Sequence, residues 1–167
     1  MDLVEIVFNY KGIDYICSYD LQDHELVSQY SWKLHSKGYA YTSVNRKTIL
    51  MHRLILGLTN TKVEADHRDH YKLNNCRSNL RVCSHSQNMM NTRKFHGQSQ
   101  FKGVYRDFNK YHVQIMVGKR VANLGRYRSE ITPAKAYDRE ARNLFGEFAN
   151  PNFPEHFEPL QPLIPSF

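Results

Sequence analysis

The segment formed by residues 64–91 constrains the fold of this chain more than any other part of it. It reads EADHRDHYKLNNCRSNLRVCSHSQNMMN, a polar run between two short extended segments, residues 63–65 and 80–83. Ser84 follows the second of these, and with Gln87 it forms a capping box, which predicts the start of a helix. The segment therefore predicts the order strand, loop, strand, helix.

Three side chains of this segment are suited to metal-dependent chemistry. Asp66 ends the first predicted strand and Asn88 lies on the predicted helix. Their oxygens suit Mg²⁺, which proteins usually hold through one or two groups while water and substrate phosphate supply the rest. His67 is expected on the other face of the same strand end, with a pKa near neutrality, where it can take a proton from a water molecule.

The segment between Asp66 and Asn88 resembles the finger of the HNH (ββα-metal) nucleases, in the form found in phage and intron-encoded homing endonucleases. The matching features are the Asp-His pair, the triplet Asn79-Leu80-Arg81 and the helical asparagine that replaces the last histidine. The resemblance implies Asp66 and Asn88 as ligands of Mg²⁺ or Mn²⁺ and His67 as general base. It also implies that Asn79 ties the loop and positions His67.

Five further residues are candidates for phosphate binding or active-site support: His52, Arg53, Arg68, His70 and Arg81. The first two fall in MHRLILGL, which predicts a short helix ending at Gly57; for them, bracing the finger is the alternative. The arginines can each bind two phosphate oxygens, or can simply be solvated.

Residues 1–50 predict a small β region. VEIVF, DYICSY and YAYTSV are rich in β-branched and aromatic residues, and turns are predicted at Lys11-Gly12 and Lys37-Gly38. Trp32, the only tryptophan, is expected to anchor a small core beneath this sheet. An alternative role in contacting flanking DNA rests on four cations: Lys33, Lys37, Arg46 and Lys47.

Residues 99–154 predict a separate unit. Three alternating segments, SQFKGVYRDF, KYHVQIMVG and KRVANLGRY, indicate a three-stranded antiparallel meander with turns at 108–109 and 118–119. A helix follows, with Thr132 as N-cap, Pro133 in its first turn and Gly146 beyond its end. Its predicted buried face consists of Ala134, Tyr137, Ala141, Leu144 and Phe145.

This unit resembles the Apetala-two/ethylene-response-factor DNA-binding domain. The matching residues include FKGV at 101–104, LGRY at 124–127, AYD at 136–138 and FGEFAN at 145–150. The resemblance implies that the outer face of the sheet enters a major groove of DNA. By position, the implied contacts are Lys102, Tyr105, Arg106, Gln114, Met116, Asn123 and the nearby Arg120. Gly103 and Gly125 are expected to serve turns and close packing.

The bulk properties agree with a nucleic-acid partner. The net charge is +7 and the pI is about 9.3, and residues 93–149 hold 12 Lys and Arg against 5 Asp and Glu. No apolar run is long enough to cross a bilayer and no signal peptide is evident, so a cytoplasmic protein is expected. The resemblance to phage nucleases implies that it acts in the bacterial host of a phage. Three widely spaced cysteines predict free thiols, with neither disulfides nor a structural zinc.

The sequence therefore predicts an α+β protein with a nuclease domain at 1–92 whose finger covers 63–92. A linker at 93–98, a DNA-binding domain at 99–154 and a tail at 155–167 follow. The expected function is a site-specific, nicking, homing-type endonuclease that acts on double-stranded DNA, and a monomer is favoured. Two alternatives stay open: a DNA-binding regulator with an inactive finger, and a structural or RNA-binding protein.

Overall fold

A computed structural model describes residues 2–91 and 99–154 of the chain. The fold is mixed α+β, with several small sheets and few helices. Contacts within the chain separate two compact units, residues 1–88 and 89–167, which are described one at a time. The predicted linker at 93–98 and the tail at 155–167 lie outside the described residues.

The first unit begins with a β-hairpin of strands β1 (Leu3–Tyr10) and β2 (Ile13–Asp20), paired antiparallel along their whole length. Lys11 and Gly12 both have positive φ, 55° and 79°, which is the two-residue turn that matches the twist of a hairpin. This confirms the strands expected from VEIVF and DYICSY. A short 3₁₀ turn and helix α1 (His24–Val27) follow.

A second small sheet contains three antiparallel strands in the order β3-β4-β5. They are β3 (Lys33–Leu34), β4 (Ala40–Val44) and β5 (Lys47–Leu50). The predicted strand in YAYTSV is β4, and the predicted turn at Lys37-Gly38 lies between β3 and β4, where Gly38 has φ 84°. Helix α2 (Met51–Ile55) comes next and is shorter than expected.

The core of the first unit lies between these elements. Its buried members come from both hairpin strands, α1, β4, α2, the later polar loop and β7: Phe8, Cys17, Tyr19, Val27, Ala40, Met51, Ile55, Leu73 and Leu80. Trp32 is partly buried against this core, and its indole Nε1 donates to the carbonyl of Val27 at 2.9 Å. The expected anchoring role of Trp32 is confirmed.

The segment at 64–91 folds as strand, loop, strand and helix, as expected. Strand β6 (Glu64–His67) pairs antiparallel with β7 (Leu80–Cys83), and helix α3 (His85–Met90) follows. The capping box is present: Ser84 N donates to Gln87 Oε1 at 2.9 Å, and Gln87 N donates to Ser84 Oγ at 3.3 Å.

The second unit is the expected meander with one helix. Strands β8 (Val104–Asp107), β9 (Lys110–Val117) and β10 (Arg120–Tyr127) form one antiparallel sheet in the order β10-β9-β8. Helix α4 (Ile131–Phe145) packs on one side of it. The core beneath consists of Val104, Val113, Ile115, Ala134, Ala136, Tyr137, Ala141 and Phe145.

Gly103 is required at its position by both space and backbone conformation. It has φ 75°, and a Cβ there would stand 2.2 Å from the ring of Tyr137 and 2.7 Å from the carbonyl oxygen of Gln114. A side chain at this position would therefore displace the helix from the sheet. The expectation that Gly103 serves close packing is confirmed.

Two details of α4 differ from the sequence prediction. The helix begins at Ile131, and Ser129 Oγ accepts a hydrogen bond from Thr132 N at 3.4 Å, so the predicted N-cap at Thr132 was wrong. The Ser129 hydroxyl, three residues before Thr132, is the side-chain acceptor for this N–H. Leu144 is 44% exposed, while Ala136 is buried in its place.

No helix within the described ranges has both the length and the apolarity that a membrane crossing requires.

Candidate functional site

The strands β6 and β7 place the predicted catalytic residues on two faces. In their register Asp66 lies opposite Arg81 and His67 lies opposite Leu80. Because side chains alternate along a strand, Glu64 shares a face with Asp66, and His67 lies on the other face. This arrangement separates the acidic groups from the imidazole by the thickness of one strand.

The carboxylate of Asp66 is held by the guanidinium of Arg81. Asp66 Oδ2 accepts from Arg81 Nη2 at 2.6 Å and from Nε at 2.8 Å, and both side chains are buried. Arg81 was expected to bind phosphate, but in this structure its partner is Asp66. A buried charge pair of this kind is costly to separate, because each ion would be left without compensation.

Asn88 reaches β6 through Glu64. Its Nδ2 donates to Glu64 Oε2 at 2.6 Å, while Glu64 Oε1 lies 2.8 Å from His85 Nδ1. The hydrogen bond from Asn88, followed by that from His85, lowers the pKa of Glu64 below its ordinary value against the opposing effect of burial. The structure thus brings Asn88 to the same strand face as Asp66 and adds Glu64, which sequence reasoning missed.

Glu64 was detectable in principle from its position. It lies two residues before Asp66 in a predicted strand, and residues i and i+2 of a strand share a face. Within residues 2–91 and 99–154, no cluster of three or more His, Cys, Asp or Glu side chains surrounds a common metal position. Any cation held here would therefore depend on the amide of Asn88 as well as on carboxylates.

The ring of His67 lies in an aromatic pocket. It is buried, with the ring of His52 centred 5.0 Å away and that of Tyr39 centred 6.0 Å away. Burial lowers the pKa of His67, although the neighbouring Asn75 side chain opposes this shift. Burial lowers the pKa of His52 further, to about 3. Both imidazoles are therefore neutral at pH 7, the state in which a histidine can accept a proton.

Asn79 makes several hydrogen bonds within the polar loop. Its Oδ1 accepts from Asp69 N at 3.0 Å, and its Nδ2 donates to Asp69 Oδ1 at 2.9 Å and to the carbonyl of Asn74 at 2.8 Å. Its own carbonyl accepts from Arg68 N at 2.9 Å, next to His67. This backbone bond connects Asn79 to the residue that directly follows His67.

The other predicted support residues differ in placement. Arg53 donates to the carbonyls of Val63 and Asn60, each at 2.7 Å, which commits its guanidinium to the chain entering β6 rather than to a phosphate. Arg68 is exposed on the loop. His70 has φ 66°, an uncommon conformation for a residue other than glycine, and its N donates to the His67 carbonyl at 3.0 Å.

The outer face of the second sheet brings together four of the seven predicted DNA contacts. Strand register places Gln114 opposite Asn123 and Met116 opposite Val121, and Tyr105 opposite His112. Gln114 Nε2 donates to Asn123 Oδ1 at 2.8 Å. The rings of Tyr105 and His112 stack at 5.2 Å, so the face carries aromatic, amide and apolar groups.

Three predicted contacts do not join this face. Lys102 Nζ donates to the carbonyl of Met90 at 2.7 Å and lies 5.8 Å from the Tyr137 ring. Burial lowers the pKa of Lys102 to about 8. Arg106 and Arg120 lie opposite Tyr111 and Val117, the alternate positions of the strand, and thus belong to the other side of the sheet.

Arg126 joins the outer face although sequence reasoning did not assign it a contact. The register shifts between Asn123 and Gly125, so that Arg126 lies opposite His112. Together with Gln114 and Asn123 these residues line a cavity of about 340 Å³. A β-bulge inserts one residue and reverses the alternation that follows it, so strict alternation from Asn123 does not show that Arg126 lies on the outer face.

Comparison with known proteins identifies the family. The chain is 34% identical over 133 residues to an uncharacterized HNH endonuclease of Acanthamoeba polyphaga mimivirus. The match covers 76% of this chain and 69% of that protein. The chain belongs to the HNH endonuclease family. No protein-family model matches the chain. No solved structure matches it either.

Proposed function

We propose that this HNH protein is a metal-dependent DNA endonuclease whose finger is formed by residues 63–92. The observation that carries the proposal is the pair of strands β6 and β7 with helix α3. It presents a buried neutral histidine, His67, on one face and two carboxylates and an amide on the other. Membership in the HNH endonuclease family supports the same reaction.

His67 is the proposed general base. It takes a proton from water, which then attacks the scissile phosphorus, and the products carry a 5′-phosphate and a 3′-hydroxyl. The lowered pKa keeps the imidazole unprotonated before the reaction. The buried ring of His52 and the partly buried ring of Tyr39 restrict the movement of the His67 ring and limit water around it. Asn79 holds the loop that follows His67.

The donor set on the strand face opposite His67 fits a hard divalent cation, Mg²⁺ or Mn²⁺. Asp66 and Asn88 would hold it, and Glu64 on the same face orients the Asn88 amide through its nitrogen, so that the amide oxygen is the atom left for a cation. When bound, such a cation offsets negative charge on the phosphate and on the departing oxygen. The guanidinium of Arg81, which holds Asp66 in this structure, then has phosphate as an alternative partner.

The second unit is the proposed DNA-recognition module, of the Apetala-two type. Its outer face offers the Tyr105 and His112 rings, the Gln114 and Asn123 amides and the Arg126 guanidinium to a major groove. Amides can pair with adenine and Arg with guanine, so the face suits base reading. With 12 basic against 5 acidic residues at 93–149, affinity should fall steeply with salt.

One finger per chain cuts one strand, so a monomer should nick duplex DNA, as a homing-type enzyme of phage origin would. Supercoiled plasmid incubated with Mg²⁺ tests this directly. Wild type converts it to the open circle, and His67→Ala slows the conversion by about 100- to 10,000-fold. Asn88→Ala has a comparable effect, and Asn88→Asp, which keeps an oxygen donor, retains more activity.

Matched controls for this assay are His24→Ala and Ser86→Ala, both exposed and outside the proposed machinery. Each should nick at the wild-type rate. Undiminished cutting by His67→Ala would disprove the base assignment.

A second candidate, a DNA-binding regulator with an inactive finger, is favoured by the buried pair of Asp66 and Arg81, which neutralises a proposed metal ligand. It predicts that wild type binds a specific sequence and leaves supercoiled plasmid intact with either Mg²⁺ or Mn²⁺.

A further inference from the structure

A groove of about 750 Å³ lies in the first unit, beside the proposed active-site loop. Its walls come from the end of the β1–β2 hairpin, from residues 34–38 and from residues 70–73. Its volume lies within the range of roughly 300–1,000 Å³ typical of ligand sites. The mechanism proposed above makes no use of this groove.

Four tyrosines give the groove its character. Tyr10 and Tyr71 are 50% and 49% exposed, while Tyr15 and Tyr41 are half-buried. The Tyr71 hydroxyl donates to the carbonyl of Ile16 at 3.0 Å, which fixes the direction of its ring. Exposed aromatic rings held in place are surfaces on which unpaired bases can stack.

The charge of the groove is positive. Lys37 and Lys72 line it together with His35 and His70, and none of the described residues that line it is acidic. A third cation stands at its edge, because Lys11 Nζ lies 5.5 Å from the centre of the Tyr10 ring. Aromatic surfaces interleaved with cations match the alternation of bases and phosphates in a single strand.

The groove is connected to the proposed general base. Lys72 lines the groove, and its Nζ lies 4.7 Å from the centre of the Tyr39 ring. That ring is in turn 6.0 Å from the ring of His67. A strand held in the groove would thus continue from the place where the scissile phosphate has to be.

We propose that this groove binds an unpaired DNA strand adjoining the cleavage position, with bases stacked on Tyr10 and Tyr71 and a backbone phosphate on Lys37. A base inside a duplex is stacked on its neighbours and cannot offer a face to these rings. The groove therefore gives the protein a preference for DNA that is unpaired on one side of the cut. This inference rests on the proposed function, since it takes DNA as the substrate.

Fluorescence anisotropy with the full chain in EDTA tests the proposal without cleavage. The probes are a blunt duplex, the same duplex with an oligo-dT tail of about ten nucleotides, and the same duplex with an abasic tail of equal length. Wild type should bind the dT-tailed duplex about tenfold more tightly than the blunt one, and more tightly than the abasic one.

Two variants remove one feature of the groove each. Tyr10→Ala and Lys37→Ala should each lose most of the preference for the dT tail while binding the blunt duplex as wild type does. Tyr10→Phe keeps the ring and Lys62→Ala removes an exposed lysine outside the groove, so both should keep the preference. Retention of the Trp32 unfolding transition verifies that each variant is folded.

The proposal is overturned if wild type binds the blunt and dT-tailed duplexes with equal affinity. It is also overturned if Tyr10→Ala and Lys37→Ala lose affinity equally for both of these duplexes. Equal binding of the dT and abasic tails overturns the stacking of bases. These results are independent of nicking: a wild type that leaves plasmid intact with metal refutes the proposed endonuclease and does not alter the difference between tails.

Discussion

The strand pair β6–β7 and the sheet β8–β10 are both small antiparallel structures followed by a helix, yet they bury opposite kinds of residues. The buried positions of the first include Asp66, His67 and Arg81. Those of the second are Val104, Val113 and Ile115, under the helix α4. The strand pair β6–β7 therefore places polar groups in its interior, whereas the sheet β8–β10 keeps them on its outer face.

The difference indicates how each structure can serve chemistry or binding. Buried polar groups are stable only when each has a partner, and the network of Asn79, Asp69 and Asn74 supplies such partners in the loop between β6 and β7. Fixed polar groups suit catalysis, which requires defined geometry. The β8–β10 sheet instead rests on an apolar core, so its outer residues can vary without loss of the fold.

The largest effect should come from breaking the buried ion pair of the polar interior. Arg81→Ala leaves the Asp66 carboxylate buried without its main charge partner, which should cost about 3–5 kcal/mol in the stability of the first unit. Urea unfolding followed by Trp32 fluorescence measures this unit alone, because Trp32 is the only tryptophan. Lys62→Ala, at an exposed position before β6, is the control and should be nearly neutral.

Replacing both members of the pair sharpens the test. Asp66→Leu combined with Arg81→Met removes both charges and should recover much of the stability lost in Arg81→Ala. If Arg81→Ala unfolds at the same urea concentration as wild type, the ion pair does not stabilise this face. The proposed contrast between a polar and an apolar interior would then be wrong.

The apolar interior should respond to loss of volume. Ile115 is 1% exposed, and Ile115→Ala should lower the stability of the second unit by about 2–5 kcal/mol through lost burial and the cavity that remains. Met116→Ala, at the next position on the outer face, should change it by less than about 0.5 kcal/mol. Hydrogen exchange of the β9 amides reports the second unit, while Trp32 fluorescence should stay unchanged in both variants. A loss in Met116→Ala as large as in Ile115→Ala would refute the assignment of faces.

Local patterns predicted most of the elements in both structures. β7 has the expected limits, the capping box at Ser84 is formed, and the meander has its turns at the expected places. These features depend on residues near one another in the chain, where turn, cap and alternation rules act. The short strands β3 and β5 and helix α1 were not predicted, because they are too short to show a period.

The side-chain partners of the site could not be predicted, because they depend on register between separate segments. Pairing of β6 with β7 puts Arg81 opposite Asp66, and no local pattern indicates that. The bulge after Asn123 turns Arg126 outward for a similar reason. Lys102 was expected to contact DNA, yet its Nζ donates to the Met90 carbonyl. That contact exists only in the folded unit.

Lowering the pH should affect the stability of the two interiors differently, and this effect should develop gradually. Burial lowers the pKa of His52 from its ordinary 6.5 to about 3, and the pKa of His67 is lowered too. Below pH 6.5 the unfolded chain therefore binds protons that the folded first unit does not, so stability is lost as pH falls. The expected loss from His52 is about 1.4 kcal/mol per pH unit. Urea unfolding by Trp32 fluorescence from pH 7 to pH 5 measures it.

The matched variant for this slope is His52→Phe, which keeps a ring and removes the titrating group. It should unfold with a shallower pH dependence than wild type across the same range. If wild type and His52→Phe lose stability equally with falling pH, then His52 has the same pKa in the folded and the unfolded chain. Its burial would then have no role in acid sensitivity.

The smallest effect should come from the cap that begins α3. Ser84→Ala removes the Oγ that accepts from Gln87 N, which should cost about 1 kcal/mol and fray the turn that carries Asn88. Faster hydrogen exchange at the amides of residues 85–88 measures the fraying, with Ser86→Ala, exposed on the same helix, as the control. Because Asn88 meets Glu64 from this turn, fraying should also weaken their contact. If exchange at these amides is unchanged while Asn88→Ala still slows nicking, then packing against β6 and β7, rather than the cap, holds the helix in place.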